Sequence, residues 1–162
     1  MITKHINDSI LNTELKFIAH GVNCQGAMGS GVAKVLYEKY PEVREQYMLA
    51  APGNILFEDV LGEHVFIEVE PNKFVINCYT QLNYGRDGKK YVNYWAIAKV
   101  FHDLSMCSSV ANENNNHIRS HDIMRLAIPK IGCGLAGGDW DIVEAIINDA
   151  VENRLEIWVY AI

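Results

Sequence analysis

Long apolar runs are missing from this chain. Its longest hydrophobic stretches, such as Leu155 to Ile162, fall far short of the roughly eighteen residues that a membrane span requires. No apolar segment with a cleavage site follows Met1, which excludes a secretory signal peptide and leads to the expectation of a cytoplasmic chain. A basic excess is missing too: 14 Lys and Arg face 20 Asp and Glu, for a formal net charge of -6. Such a surface has no broad positive field, so general binding to nucleic acid is not expected. Cys24, Cys78, Cys107 and Cys133 contain no C-x-x-C pair, so neither a zinc ribbon nor a redox dithiol is written here. The G-x-x-x-x-G-K-[ST] loop of nucleoside triphosphate hydrolases does not occur.

What is present is enough apolar material for one core. The 162 residues are 49% hydrophobic, and no repeat or linker divides them, so one domain over 1–162 with no recruiting tail is expected. Phe17 to Val22 reads as a buried strand. A helix follows from Val32 to Tyr40, with Val32, Val35, Leu36 and Tyr40 on one face, and Pro41 separates it from a second helix, Glu42 to Leu49. Gly53-Asn54, Gly62-Glu63 and Pro71-Asn72 punctuate three strand-like runs, Ile55 to Leu61, Val65 to Val69 and Phe74 to Tyr79. Helical spacing returns from Tyr91 to Leu104, where Tyr91, Tyr94, Trp95 and Phe101 read as packing residues. Asn112 to Asn116 is a polar loop, Leu126 to Pro129 a strand, Trp140 to Val151 an amphipathic helix and Leu155 to Tyr160 a closing strand. The alternation predicts a mixed α/β sandwich, in which ligands sit beyond the strand ends.

Two glycine-rich turns fall at that location, Asn23-Cys-Gln-Gly-Ala-Met-Gly-Ser-Gly31 and Gly132-Cys-Gly-Leu-Ala-Gly-Gly-Asp139. Each follows an apolar strand and opens a helix. Glycine lets the backbone come close to a ligand, and a helix start offers unpaired N–H groups to an anion, so the pair predicts a phosphate-bearing ligand. Gly132, Gly134 and Gly137 also spell G-x-G-x-x-G, with Glu156 further on, but only one strand follows, too little for a dinucleotide-binding domain. Hydride transfer and a resident cofactor are therefore not expected. His117 and His121 have helical metal-ligand spacing but lie in an asparagine-rich stretch without a glutamate between them, and no metal is expected. A catalytic thiolate at Cys24 or Cys133 would need a base partner; buried free thiols are the simpler reading.

The segments His20 to Ala33 and Ile128 to Trp140, with Asp8 after a first strand and the ending Val159-Tyr-Ala-Ile162, resemble the macrodomain family. The resemblance implies a three-layer α/β/α fold with a central mixed sheet and ADP-ribose as ligand. It implies that Asn23, Met28, Gly29, Gly31 and Val32 wrap the distal ribose. Gly132, Cys133, Gly134 and Leu135 hold the diphosphate, and Asp8 and Tyr160 serve the adenine, while Thr80 and Gln81 either line the distal ribose or terminal phosphate or belong to a plain loop.

The chain looks closest to the branch with the terminal ADP-ribose protein glycohydrolases and the yeast-type ADP-ribose 1''-phosphate phosphatase. Gln81 falls where the glycohydrolases carry a lysine, and Ala136 where they carry an aspartate. His20 resembles the phosphatase histidine, able to relay a proton or accept a phosphoryl group, or else only to bond the strand end. Asp139 can cap the last helix or assist at the phosphates. The leading expectation is hydrolysis of ADP-ribose 1''-phosphate with His20 and Asp139 in catalytic roles. Removal of ADP-ribose from modified macromolecules and non-catalytic ADP-ribose reading stand as alternatives.

Overall fold

A computed structural model describes residues 1–49, 57–107 and 123–161. Six strands form one sheet: β1 (Ile2–Ile6), β2 (Phe17–Asn23), β3 (His64–Glu70), β4 (Lys73–Gln81), β5 (Arg125–Pro129) and β6 (Glu156–Tyr160). Their order across the sheet is β1-β6-β5-β2-β4-β3, all neighbours parallel except the β3–β4 hairpin. Helices α1 (Gly31–Lys39), α2 (Glu42–Leu49), α3 (Tyr94–Cys107) and α4 (Trp140–Val151) cover it. Among the described residues no helix is long and apolar enough to cross a membrane.

The period-two alternation of the central strands decides which helix covers which face. Phe17 and Ala19 of β2, with Ile76 and Cys78 of β4, point to a core shared with Ile97, Val100, Phe101 and Leu104 of α3 and Val143 and Ile147 of α4. Ile18 and Val22, with Val75 and Tyr79, point the other way, onto Leu36 of α1 and Val43 and Tyr47 of α2. The result is the expected three-layer α/β/α arrangement around a mixed sheet. At 25 cal/mol per Å² or so, these two apolar faces supply most of the force that holds the helices down.

Three expected details differ. The run Ile55 to Leu61 is not a strand where it is described: Phe57–Val60 is a 3-10 turn. Its backbone closes on itself at Gly62, whose φ is 85°, and Glu63 N–H donates to Val60 O at 3.0 Å, while β3 already fills the sheet edge. Helix α3 starts at Tyr94 rather than Tyr91, because Tyr91 and Val92 donate their N–H groups to Ala136 O at 2.8 and 3.1 Å. Asn93 Oδ1 then accepts from Ala96 N–H at 3.0 Å and starts the helix. Val35 is 41% exposed and Trp95 61% exposed, so neither belongs to the packed face its spacing suggests. Gly53-Asn54, Asn112 to Asn116 and His117 with His121 lie outside the described residues.

Candidate functional site

Strands β5, β2 and β4 are parallel neighbours, so the segments leaving their carboxyl ends meet at one edge of the sheet. From β2 the chain moves on to β4 on one side, and β5 returns on the other, which makes the β2 end a topological switch point. A cavity of about 650 Å³ opens there. Both glycine-rich loops line it, the first through Asn23 and Gly26 to Gly31, the second through Gly132, Gly134, Leu135 and Ala136.

The first loop is held from below by Asn23, whose Oδ1 accepts Gln25 N–H at 2.9 Å and Ala27 N–H at 3.3 Å while its Nδ2 donates to Ala27 O at 2.6 Å. Tyr47 of α2, 1% exposed, brings its hydroxyl to 2.7 Å from both Asn23 O and Asn23 Oδ1. The amide of Asn23 is thus engaged in shaping the loop. Cys24 N–H donates to Gln81 O at 3.0 Å, and Gln25 Nε2 to Leu82 O at 3.2 Å, tying the loop to the end of β4. Ser30 gives α1 no side-chain cap and no acidic residue lies in its first turn. The amides that start α1, at Gly31 and Val32, therefore face the cavity without a resident carboxylate.

The second loop differs. Asp139 caps α4 by accepting Asp141 N–H at 2.9 Å, so one N–H of this helix start is already satisfied. Gly137 has φ 71°, and a Cβ there would stand 2.8 Å from Lys89 O, so only glycine permits the approach of segment 82–93. That segment thereby touches both loops.

His20 lines the cavity yet is only 1% exposed. Asn77 Nδ2 donates to Val43 O at 3.0 Å, which turns Oδ1 toward His20 Nε2 at 2.6 Å. Nε2 therefore carries the proton, and the Nδ1 lone pair is buried without a partner among the described residues. Burial lowers the pKa of His20 to about 4, against a smaller opposing effect of the Asn77 bond. The ring is neutral near pH 7, and burial makes it a weak base. Burial pushes the Cys24 and Cys133 thiols up to about 11, so neither is a thiolate near neutrality.

Of the residues expected from the sequence, His20, Asn23, Met28, Gly29, Gly31, Val32, Gln81, Gly132, Gly134 and Leu135 line the cavity. Asp8, Thr80, Cys133, Asp139 and Tyr160 lie outside its wall. Asp8 Oδ1 accepts from Ser9 N–H at 2.6 Å and Asn12 Nδ2 at 2.8 Å, organising the turn after β1. Thr80 points by strand parity to the α3/α4 face, where its buried Oγ1 packs against Gly21.

Sequence reasoning missed the cations. Arg44 of α2, Arg86 after β4 and Lys130 after β5 all line the cavity, and no Asp or Glu does among the described residues. None of the three has an ion-pair partner among those residues. Arg44 sits 5.3 Å from the Tyr37 ring centroid and Lys130 5.9 Å from that of Trp140. Tyr84 and Leu135 form an exposed lip. Net charge hid this cluster, since an acidic total says nothing of where the few cations converge.

Comparison with known proteins agrees with this architecture. An uncharacterized 17.5 kDa protein from the tk-vs intergenic region of enterobacteria phage T4 is 32% identical over 97% of this chain and 94% of its own length. The ADP-ribose 1''-phosphate phosphatase of Lodderomyces elongisporus is 25% identical over 90% of this chain and 86% of its own. The DNA ADP-ribosyl glycohydrolase of Mycobacterium tuberculosis is 26% identical over 97% of this chain, which spans 40% of that protein. The solved macrodomain of Mycobacterium tuberculosis DarG superposes with a TM-score of 0.76 at 23% identity, covering 100% of this chain and 98% of that one. The Macro domain family matches residues 19–147, a stretch that runs from β2 through both glycine-rich loops into α4, and the chain belongs to that family.

Proposed function

We propose that the cavity binds ADP-ribose and that the chain removes the terminal phosphate from ADP-ribose 1''-phosphate. One observation carries the reading: three cations without an ion-pair partner among the described residues line a cavity together with two glycine-rich loops, and no described carboxylate lines it, in a chain of net charge -6. Cations of one sign lining one cavity make its potential positive and favour an anionic occupant. Similarity to ADP-ribose 1''-phosphate phosphatases over 90% of the chain supports the nucleotide and the reaction.

In this reading the α1 amides and the cations neutralise the charge that spreads over the phosphoryl oxygens. His20 in this reading receives the proton of the attacking water once substrate brings its buried Nδ1 to the cavity, its low pKa making it a weak base. The P–O bond to the sugar breaks, and the sugar oxygen leaves with a proton supplied by solvent. Asp139 keeps its role as helix cap. The test is isothermal titration with ADP-ribose, followed by phosphate release from the 1''-phosphate by the wild type and His20→Ala. Equal rates in the two proteins refute the role of His20; no release by either refutes the phosphatase.

The relation to DNA ADP-ribosyl glycohydrolase supports a second reading, hydrolysis of ADP-ribose from a modified macromolecule. Gln81, in the cavity wall, and Ala136 offer no amine and no carboxyl group, so this reaction would have to activate water directly. Release of ADP-ribose from modified DNA, without phosphate release from the 1''-phosphate, would favour it. Binding of ADP-ribose with neither reaction would mark a reader.

A further inference from the structure

His20 and Asn77 are register partners on the neighbouring strands β2 and β4. Strand parity points both to the α1/α2 face, with Ile18 and Val22 on one strand and Val75 and Tyr79 on the other. An imidazole and an amide, both buried, thus sit side by side in a layer built from apolar side chains. Burying two polar groups costs stability unless each is paired, and two apolar side chains of similar shape would serve the core as well. Packing alone gives no reason for this pair.

The amide is held at both ends. Its Nδ2 donates to Val43 O of α2 at 3.0 Å, and its Oδ1 accepts from His20 Nε2 at 2.6 Å. With the donor end fixed by the helix carbonyl, the end that meets the ring can only accept. This bond also opposes the effect of burial, so His20 is a better base with Asn77 than without it. The ring nitrogen left to take a proton is Nδ1, which has no partner among the described residues.

Resting on the phosphatase reading, in which His20 takes the proton of the attacking water, we infer that Asn77 is the positioning residue of the reaction, fixing His20 as the Nε2–H tautomer so that Nδ1 receives the proton. The water O–H bond breaks, its proton moves to Nδ1 and its oxygen bonds phosphorus as the P–O bond to the sugar breaks, the sugar oxygen taking a proton from solvent. Nε2–H still donates to Asn77 Oδ1 afterwards, so the ring gains its charge without losing a bond. Asn77 does not line the cavity and acts only through the ring.

The experiment combines imidazole nitrogen NMR with turnover of ADP-ribose 1''-phosphate by wild type, Asn77→Leu and Asn77→Asp. The His20 signals are those missing from His20→Gln. Wild type at neutral pH should show a protonated Nε2 and a bare Nδ1. Asn77→Leu, close in shape but without an acceptor, should lose that single tautomer and lower kcat by about tenfold, the weight of one hydrogen bond, with KM and ADP-ribose affinity within about twofold. Asn77→Asp keeps an acceptor oxygen and should keep the tautomer and recover most of the rate. A merely structural role would lower the melting temperature and leave tautomer and kcat alone. The assignment is overturned if wild-type Nδ1 carries the proton, if Asn77→Leu keeps the wild-type tautomer or kcat, if its ADP-ribose affinity falls as far as kcat, or if Asn77→Asp loses the tautomer. Should a variant fail to fold, the wild-type spectrum decides: a slowly exchanging Nε2–H supports the bond to Asn77, and a proton on Nδ1 overturns it. If no protein releases phosphate, the phosphatase reading falls, while the tautomers still decide whether Asn77 sets the acceptor atom of His20.

Discussion

Replacing Tyr47 with Phe deletes one oxygen from the centre of the first loop and changes nothing else. The ring stays buried on the α1/α2 face, so no apolar area is lost and no cavity larger than a hydroxyl is made. What goes is the contact at 2.7 Å with Asn23 O and with Asn23 Oδ1, together with the hydroxyl's interactions with the Gly26 and Ala27 backbone. A buried hydrogen bond whose partner is left unsatisfied costs about 1–3 kcal/mol. Asn23 Oδ1 still accepts from Gln25 and Ala27, which places the cost toward about 1–2 kcal/mol. The loop that lines the cavity then loses its inner anchor, and ADP-ribose affinity should fall by about five- to tenfold. Tyr79→Phe is the matched control. Its ring lies 6.0 Å from that of Tyr47, yet its hydroxyl is buried without a partner among the described residues, so its removal should cost nothing or stabilise. Urea denaturation and titration calorimetry on the two variants decide the matter. Equal stability of Tyr47→Phe and wild type, or equal loss in both variants, refutes the assignment of Tyr47 as the loop's anchor.

His20 gives stability a pH dependence. Its pKa is about 4 when folded against 6.5 unfolded, so the unfolded chain binds the extra proton between those values. Stability is full above pH 6.5 and falls as pH drops toward 4, by up to about 3 kcal/mol from this group; the wild-type minus His20→Gln difference in urea midpoints across that window should shrink accordingly. Gly137→Ala combines φ 71° with a Cβ 2.8 Å from Lys89 O, and should destabilise by more than about 1 kcal/mol and loosen segment 82–93, read by hydrogen exchange at Tyr91 and Val92. Asp139→Ala removes the α4 cap and should cost about 1 kcal/mol in melting experiments, with phosphate release unchanged if the residue acts as a cap alone.

The fold was legible because its signals are local and repeated. Phe17 to Val22 is apolar but for His20, as suits a strand buried on both faces, and Ile97, Val100, Phe101 and Leu104 share a helical face that the structure buries completely. The loops were legible for the same reason: Gly31, Gly132 and Gly137 have the positive φ that glycine spacing signals. What sequence did not carry was direction and charge geometry. Nothing in Glu42-Val-Arg-Glu distinguishes Arg44 from a solvated helix cation, and only the packing of α2 over Asn77 turns it to the cavity. The burial of His20 was likewise invisible, since a histidine at a strand end reads equally as exposed or as locked beneath a helix. Asp139 reads from sequence as cap or catalyst, and the structure shows its cap bond to Asp141.

The two loops do unequal jobs, and helix capping explains why. Both open helices, and both were expected to offer free amides to an anion. At α4 the positive end of the helix dipole is already met by Asp139 and by Asp141 in the first turn. A phosphate placed there would face two carboxylates. At α1 neither cap nor acid is present, and the amides of the first turn open on the cavity with His20 beneath and Arg44 alongside. The second loop contributes instead through its closely packed backbone, where Gly137 and Gly138 admit segment 82–93 and leave Lys130 as the adjacent cation. Charge stabilisation therefore concentrates on the α1 side, the side of His20, and a reaction at a phosphate held there is the chemistry this asymmetry favours.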